Sequence, residues 1–236
     1  MQQEKVLRKD ICCLFILLKY MEKNIDYGIF SNKVTNKKLV YYPVAKNANS
    51  STKLFLIKHL GLENKFFFIE DLIPRHQHTK KIYDSQKEKV NLISFLPPYT
   101  KFKKINADEK CCLVRDPIKR FVSCYKNRIL FHRDKAFLNH SIDLVIEKLE
   151  SGLFENKHFL HQNYWLGNNL KYFSIVANTS NIYPFVNGIN NFFQKKLIFP
   201  KIQTGGKELQ ISLNSSQINK LKKIYSDDYD LIGKLL

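Results

Sequence analysis

The chain has 236 residues, 44% hydrophobic and 25% charged, a composition that excludes a wholly disordered chain and suits one domain with a full core. Its formal charge of +18 at pH 7 points to an anionic partner: nucleic acid, a membrane surface, a nucleotide or an acidic glycan. The lysines are spread along the whole chain, as a coding bias would spread them, whereas four of the six arginines (Arg115, Arg120, Arg128 and Arg133) fall within 19 residues.

In chain order, residues 5–23 read as a helix around the apolar run ICCLFILL. A membrane span needs roughly 17–25 apolar residues, so this run is read as part of a core helix. No small-residue cleavage pattern follows it, which argues against a signal peptide. Peripheral membrane contact is the other use for its apolar face. Residues 24–37 form a polar connection, 38–45 a strand, and about 50–61 a helix with Leu54, Ile57 and Leu60 on one face. KFFFIEDLI (65–73) fits a short strand or helix, and VNLISFL (90–96) a strand ended by Pro97-Pro98. KCCLVRDP (110–117) is a strand running into a turn, and 117–130 a helix. Helices are expected over 141–152 and 158–168, a strand at KYFSIVANT (171–179), and helices over 181–194 and 215–235. Strands alternating with helices predict an α/β fold with a mainly parallel sheet. Ligands of such sheets sit beyond the carboxyl ends of the strands, where both the loop at Lys46 and the turn at Arg115 lie.

The five cysteines include two adjacent pairs, Cys12-Cys13 and Cys111-Cys112, with no CxxC spacing for zinc and a poor disulfide pattern. A reducing, cytoplasmic setting follows, with no metal site expected.

Two segments carry the chemistry. PVAKNANSSTKLFLIKHL (43–60) is a strand–lysine–loop–helix unit in which small polar residues follow Lys46. No glycine occurs between Gly28 and Gly61, so a nucleoside triphosphatase loop is absent there. In CCLVRDPIKRFVSCYKN (111–127), Asp116 is an acidic N-cap and Pro117 takes the first helical position. Ile118, Phe121, Val122, Tyr125 and Ile129 form an apolar stripe, while Arg120 and Ser123 share another face near Arg115. Arginines, a hydroxyl and a helix N-terminus together suit an anion; an arginine that only caps the sheet and an exposed serine are the plainer alternative.

Together the two segments resemble the sulfotransferases, in particular the carbohydrate sulfotransferase branch called sulfotransferase family 2. Arg115, Asp116, Pro117, Arg120, Phe121, Ser123 and Tyr125 match that family's R-[DH]-P-x-x-R-[FL]-x-S-x-[YF] motif. VAKNANSST matches its first motif more loosely, with Asn49 and Ser50 where threonine or cysteine is common. KHFLHQNYWLG (157–167) resembles its H-[FW]-x-P-Q segment, with His161 in place of proline, and QINKLKKIYSDDYDLIGKL (217–235) resembles its closing helix. The resemblance covers about residues 38–236 and implies one P-loop-like domain, with a PAPS-binding core over 38–236 behind an N-terminal helix and connection over 1–37.

The resemblance further implies transfer of a sulfuryl group from 3′-phosphoadenosine 5′-phosphosulfate (PAPS) to an acceptor hydroxyl, on a carbohydrate or a similar molecule, releasing 3′-phosphoadenosine 5′-phosphate without a metal. Lys46 would offset charge on the bridging oxygen. The loop residues Asn47, Ala48, Asn49, Ser50, Ser51 and Thr52 would cradle the 5′ end. Arg115 and Ser123 would hold the 3′-phosphate, with Thr204 and Lys207 closing over the nucleotide. His158 matches a family histidine and is the expected general base, ahead of His76 and His78. Where relatives carry a glutamate in the later strand, this chain has Asn178. Two other classes fit parts of the sequence. One is a non-enzymatic basic protein binding nucleic acid or acidic glycan, against which the arginines cluster at one turn. The other is a nucleotide kinase, against which the triphosphatase loop is missing.

Overall fold

The computed structural model describes residues 29–32, 34–61, 101–154, 156–201 and 209–236. Expectations for the 5–23 helix and its membrane contact, for 65–73, for the 90–96 strand, and for His76, His78, Thr204 and Lys207 lie outside these residues. Among the described residues, four strands form one sheet in the order β1 (Ile29–Ser31), β2 (Lys38–Tyr42), β3 (Glu109–Val114) and β4 (Ile175–Asn178). β1 runs antiparallel to β2, and the other pairs are parallel. The mixed α/β architecture with a mostly parallel sheet is the one predicted. β1 corrects the reading of 24–37 as a connection only: three residues are too short for a periodic signal, yet Phe30 is fully buried beneath the sheet's helices.

The register shows why the strands read as near-continuous apolar runs. Tyr41 pairs with Cys111 and Tyr42 with Cys112, so adjacent residues serve opposite faces. Leu39, Tyr41, Cys111 and Leu113 pack under α1 (Asn49–His59) and a later helix, Tyr183–Phe193. Val40, Tyr42, Cys112 and Val114 pack against Trp165, Leu166 and Phe173 on the other side. The cysteines of β3 are thus buried free thiols, one per face, and burial pushes both thiols up.

Next come α2 (Pro117–Cys124), α3 (Ile142–Glu150), the short α4 (Asn163–Leu166), α5 (Tyr183–Phe193), α6 (Ser215–Ile224) and α7 (Ser226–Ile232). The helix expected over 117–130 changes to a π-helical segment at Tyr125–Phe131, and the one expected over 215–235 breaks at Tyr225. Tyr225 is buried and donates its hydroxyl proton to the Phe159 carbonyl, which fixes the break. Residues 157–168 form a 3₁₀ turn (Lys157–Phe159) and α4 rather than one helix, because backbone carbonyls there serve α2, as described below. Phe121, Tyr125, Val145, Phe159, Leu221 and Tyr225 make a third apolar cluster that seats α2 on α3 and α6.

Candidate active site

β2 and β3 are parallel neighbours, so the loops after them open on the same sheet edge. The loop after β2 turns without glycine: Lys46 has φ 70° and Ala48 φ 55°, two left-handed residues flanking Asn47. Each costs on the order of 1–3 kcal/mol, and such conformations persist only where neighbours over-determine them. α1 then starts at Asn49 with Ala48 at its N-cap and no side-chain cap, so its first N–H groups point out of the helix start. An alternation of conformations ahead of a helix start is the backbone geometry that gathers N–H groups around an anion.

The arginines of the second motif hold that loop. Arg115 Nη1 donates to the Lys46 carbonyl at 2.8 Å, and Arg120 Nε donates to the neighbouring Ala45 carbonyl at 3.1 Å. Asp116 accepts from the Lys119 N–H at 2.7 Å as the N-cap of α2, with Pro117 at the first position, as the sequence predicts.

The two arginines are not equivalent. Arg120 is buried (1% exposed), donates through Nη2 to the carbonyls of His158 (2.8 Å) and Leu160 (2.7 Å), and lies 5.2 Å from the Trp165 ring centre. Its Nη1 faces buried Asp228 at 3.9 Å. Burial pushes the Asp228 carboxyl up, against the opposing pull of Arg120. Arg115 is only half-buried, and burial lowers its guanidinium from the ordinary value. Arg128 forms a two-pronged pair with Asp134 (2.7 and 2.6 Å), and Arg133 is exposed with φ 48°. The arginine cluster of the sequence therefore divides into one site-edge cation, one buried hub, one ion-pair partner and one surface residue.

Asn47 is fully buried, and its Nδ2 donates to the Leu113 carbonyl (2.8 Å) and to Gln162 Oε1 (2.7 Å). Its side chain faces the protein. Lys46, Ala48, Asn49 and Ser50 are half-buried, while Ser51 and Thr52 are buried. Thr52 Oγ1 donates to the Ala48 carbonyl at 3.1 Å, and Tyr41 donates to Asn49 Oδ1 at 3.3 Å. Further along α1, burial pushes the Lys53 ammonium down to about 8. Ser123 is half-buried on α2, one turn after Arg120.

Gln162 is the residue that sequence reasoning missed as a site component. It is fully buried; Oε1 accepts from Asn47 Nδ2 and from the Arg115 N–H (3.1 Å), and Nε2 donates to the Arg115 carbonyl (2.8 Å). One amide thus binds both motif loops together, while its own N–H donates to Asp228. The signal was present in KHFLHQNYWLG, whose glutamine matches the family segment.

A family model described as the sulfotransferase family (family 2) matches residues 33–181, well over half of the chain. The chain belongs to the sulfotransferase family. No curated protein and no solved structure matches it. The loops at Lys46 and Arg115 and the glutamine of this sulfotransferase fall within the matched range.

His158 is half-buried in the 3₁₀ turn beside α2. Its carbonyl accepts from Arg120 and from Cys124 Sγ (3.0 Å), so the residue sits one guanidinium away from the Ala45 carbonyl. His161 packs its half-buried ring against Phe154 and Tyr225. Asn178 ties the end of β4 to the Leu235 carbonyl at 2.8 Å and accepts from the Ser180 N–H. Among the described residues, no group of three or more His, Cys, Asp or Glu is arranged to hold a metal, and no helix is long and apolar enough to cross a membrane.

Proposed function

We propose that this sulfotransferase moves a sulfuryl group from PAPS to a carbohydrate hydroxyl. The observation that carries the reading is the bond from Arg115 to the Lys46 carbonyl, which brings the two motifs associated with the two phosphate ends of that donor to one sheet edge. The chain's residues fit such a group: a half-buried lysine, a helix start with no side-chain cap, hydroxyl residues in its first turn and a site-edge arginine.

PAPS supplies an activated sulfuryl group. Backbone N–H groups of Ala48 and Asn49, with Ser50 and Ser51, hold its 5′ end, while Asn47 and buried Thr52, whose hydroxyl donates to the Ala48 carbonyl, support the loop from the protein side. Arg115 and Ser123 take the 3′-phosphate; the family resemblance alone implies that Thr204 and Lys207 would also contact the nucleotide. As the acceptor oxygen bonds to sulfur, the bond from sulfur to the bridging oxygen breaks, and Lys46 neutralises the charge left on that oxygen. His158 Nε2 takes the acceptor's proton, with His76 and His78 as the other candidates.

Thermal shift with 3′-phosphoadenosine 5′-phosphate, ADP, ATP–Mg²⁺ and an RNA oligomer tests the reading, because a ligand that binds the native state raises its melting temperature. The bisphosphate is expected to give the largest shift without added metal. A larger shift with ATP–Mg²⁺ would favour a kinase, and a larger one with RNA a basic binding protein.

A further inference from the structure

We infer that Asn156, held by Asp134 and Arg128, is a positioning residue that fixes the His158 ring with its proton on Nδ1 and so presents Nε2 as the proton acceptor. The inference rests on His158 being the base in the reading above.

The proton assignment follows from hydrogen-bond bookkeeping. Asn156 Oδ1 accepts from the His158 backbone N–H at 2.9 Å, which identifies that atom as the amide oxygen. At the other end, Asn156 Nδ2 lies 2.8 Å from Asp134 Oδ2, and a carboxylate oxygen there requires a donor. Both ends agree on the orientation of the amide. His158 Nδ1 lies 2.6 Å from the same Oδ1, so it must donate, and in the neutral ring the lone pair then belongs to Nε2.

The support behind Asn156 is charged and partly buried. Asp134 accepts from Arg128 through both oxygens, at 2.7 and 2.6 Å, and Arg128 is buried in the π-helical segment. The His158 carbonyl is fixed separately by Arg120 and Cys124. The carbonyl of His158 and its ring are therefore held by separate sets of contacts, and a surface histidine needs neither. In the transfer step the acceptor O–H proton passes to Nε2 as its oxygen bonds to sulfur, and the leaving bridging oxygen keeps the electron pair. The ring becomes an imidazolium whose Nδ1–H already faces an oxygen tied to a carboxylate.

The test uses the full chain labelled with ¹⁵N-histidine. Long-range ¹H–¹⁵N spectra report which ring nitrogen carries the proton, and His158→Gln assigns the signal. Hydrolysis of ³⁵S-labelled PAPS, with water as acceptor, reads transfer in single turnover. The wild-type ring is expected to carry its proton on Nδ1. Asn156→Ala is expected to lose that preference and slow transfer by about tenfold to a hundredfold, a part of what general-base catalysis supplies, with unchanged donor affinity. The exchange Asn156→Asp with Asp134→Asn keeps the acceptor oxygen facing His158 and one donor across the 2.8 Å contact, and is expected to restore both the ring state and most of the rate. A wild-type proton on Nε2, or an unchanged ring in Asn156→Ala, would overturn the relay. Full transfer in Asn156→Ala despite a changed ring would remove the positioning role, whereas no PAPS binding at all would overturn the donor reading on which His158 as the base rests.

Discussion

Arg115 and Lys46 are 69 positions apart, yet the Arg115 guanidinium donates to the Lys46 carbonyl across 2.8 Å. Lys46 sits in the left-handed region, so this bond holds a loop that glycine would otherwise be needed to turn. Arg115 thus fixes the loop after β2, and in the proposed reading its remaining donors would take the 3′-phosphate.

Arg115→Ala is expected to weaken 3′-phosphoadenosine 5′-phosphate by about a hundredfold, in line with the loss of a charged partner in a recognition site. AMP lacks the 3′-phosphate and feels only the looser loop, so its loss should be roughly tenfold or less. Isothermal titration of both nucleotides against both proteins decides the matter, and equal losses would restrict Arg115 to its structural duty.

Lys46→Ala should lower the single-turnover rate of PAPS hydrolysis more than it lowers affinity for the bisphosphate product, because in the proposed step the charge it would neutralise develops as the bond to sulfur breaks. A loss confined to affinity would make Lys46 a ground-state contact.

Arg120→Ala should fail as a fold, not as a site. It leaves Asp228 buried without its cation and frees the carbonyls of Ala45, His158 and Leu160. Breaking a buried pair by removing one partner costs about 3–5 kcal/mol. Urea unfolding measures it, with Arg115→Ala as the contrast expected to lose far less. Near-native stability of Arg120→Ala would show that the hub is dispensable.

Ala48→Gly should stabilise the protein by about 1 kcal/mol, since φ 55° strains alanine and suits glycine. Glycine is also the better N-cap. For a chain of this size that corresponds to about 2–4 °C in Tm. A lower Tm would mean that the loop gains nothing by losing the methyl group.

His59 should make stability fall with acid. Its buried ring lies against Phe55 and Phe193, both ring nitrogens are without a hydrogen-bond partner, and Asn190 is committed to Leu197. Burial lowers its pKa to about 4, with the Lys195 cation adding to the shift. The unfolded ring, near 6.5, binds a proton that the folded one refuses, so the contribution is complete above about pH 6.5 and is lost as pH falls toward 4. The slope approaches about 1.4 kcal/mol per pH unit in that window. Urea midpoints at pH 7, 5.5 and 4.5 for wild type and His59→Leu check it: wild type should lose stability relative to His59→Leu as pH falls, and a constant difference would rule the histidine out.

Much of this protein was determined locally. Apolar runs bounded by turn residues located β2, β3 and β4; Asp116-Pro117 marked the start of α2; and the second motif, read with the loop at Lys46, pointed to the family that the comparison then showed. These features are carried by side-chain type at short spacing, which a sequence displays directly. The tertiary structure alone decided which arginine faces the site, why Asn47 turns inward, and how Gln162 and Asn156 earn their places. The physical reason is that the deciding partners are mostly backbone carbonyls and amides: Lys46, Ala45, Leu113, His158 and Leu160 accept, and the N–H groups of Arg115 and His158 donate. Nearly every residue carries both groups, so side-chain type gives no sign of which ones a buried guanidinium or amide will reach when the chain folds.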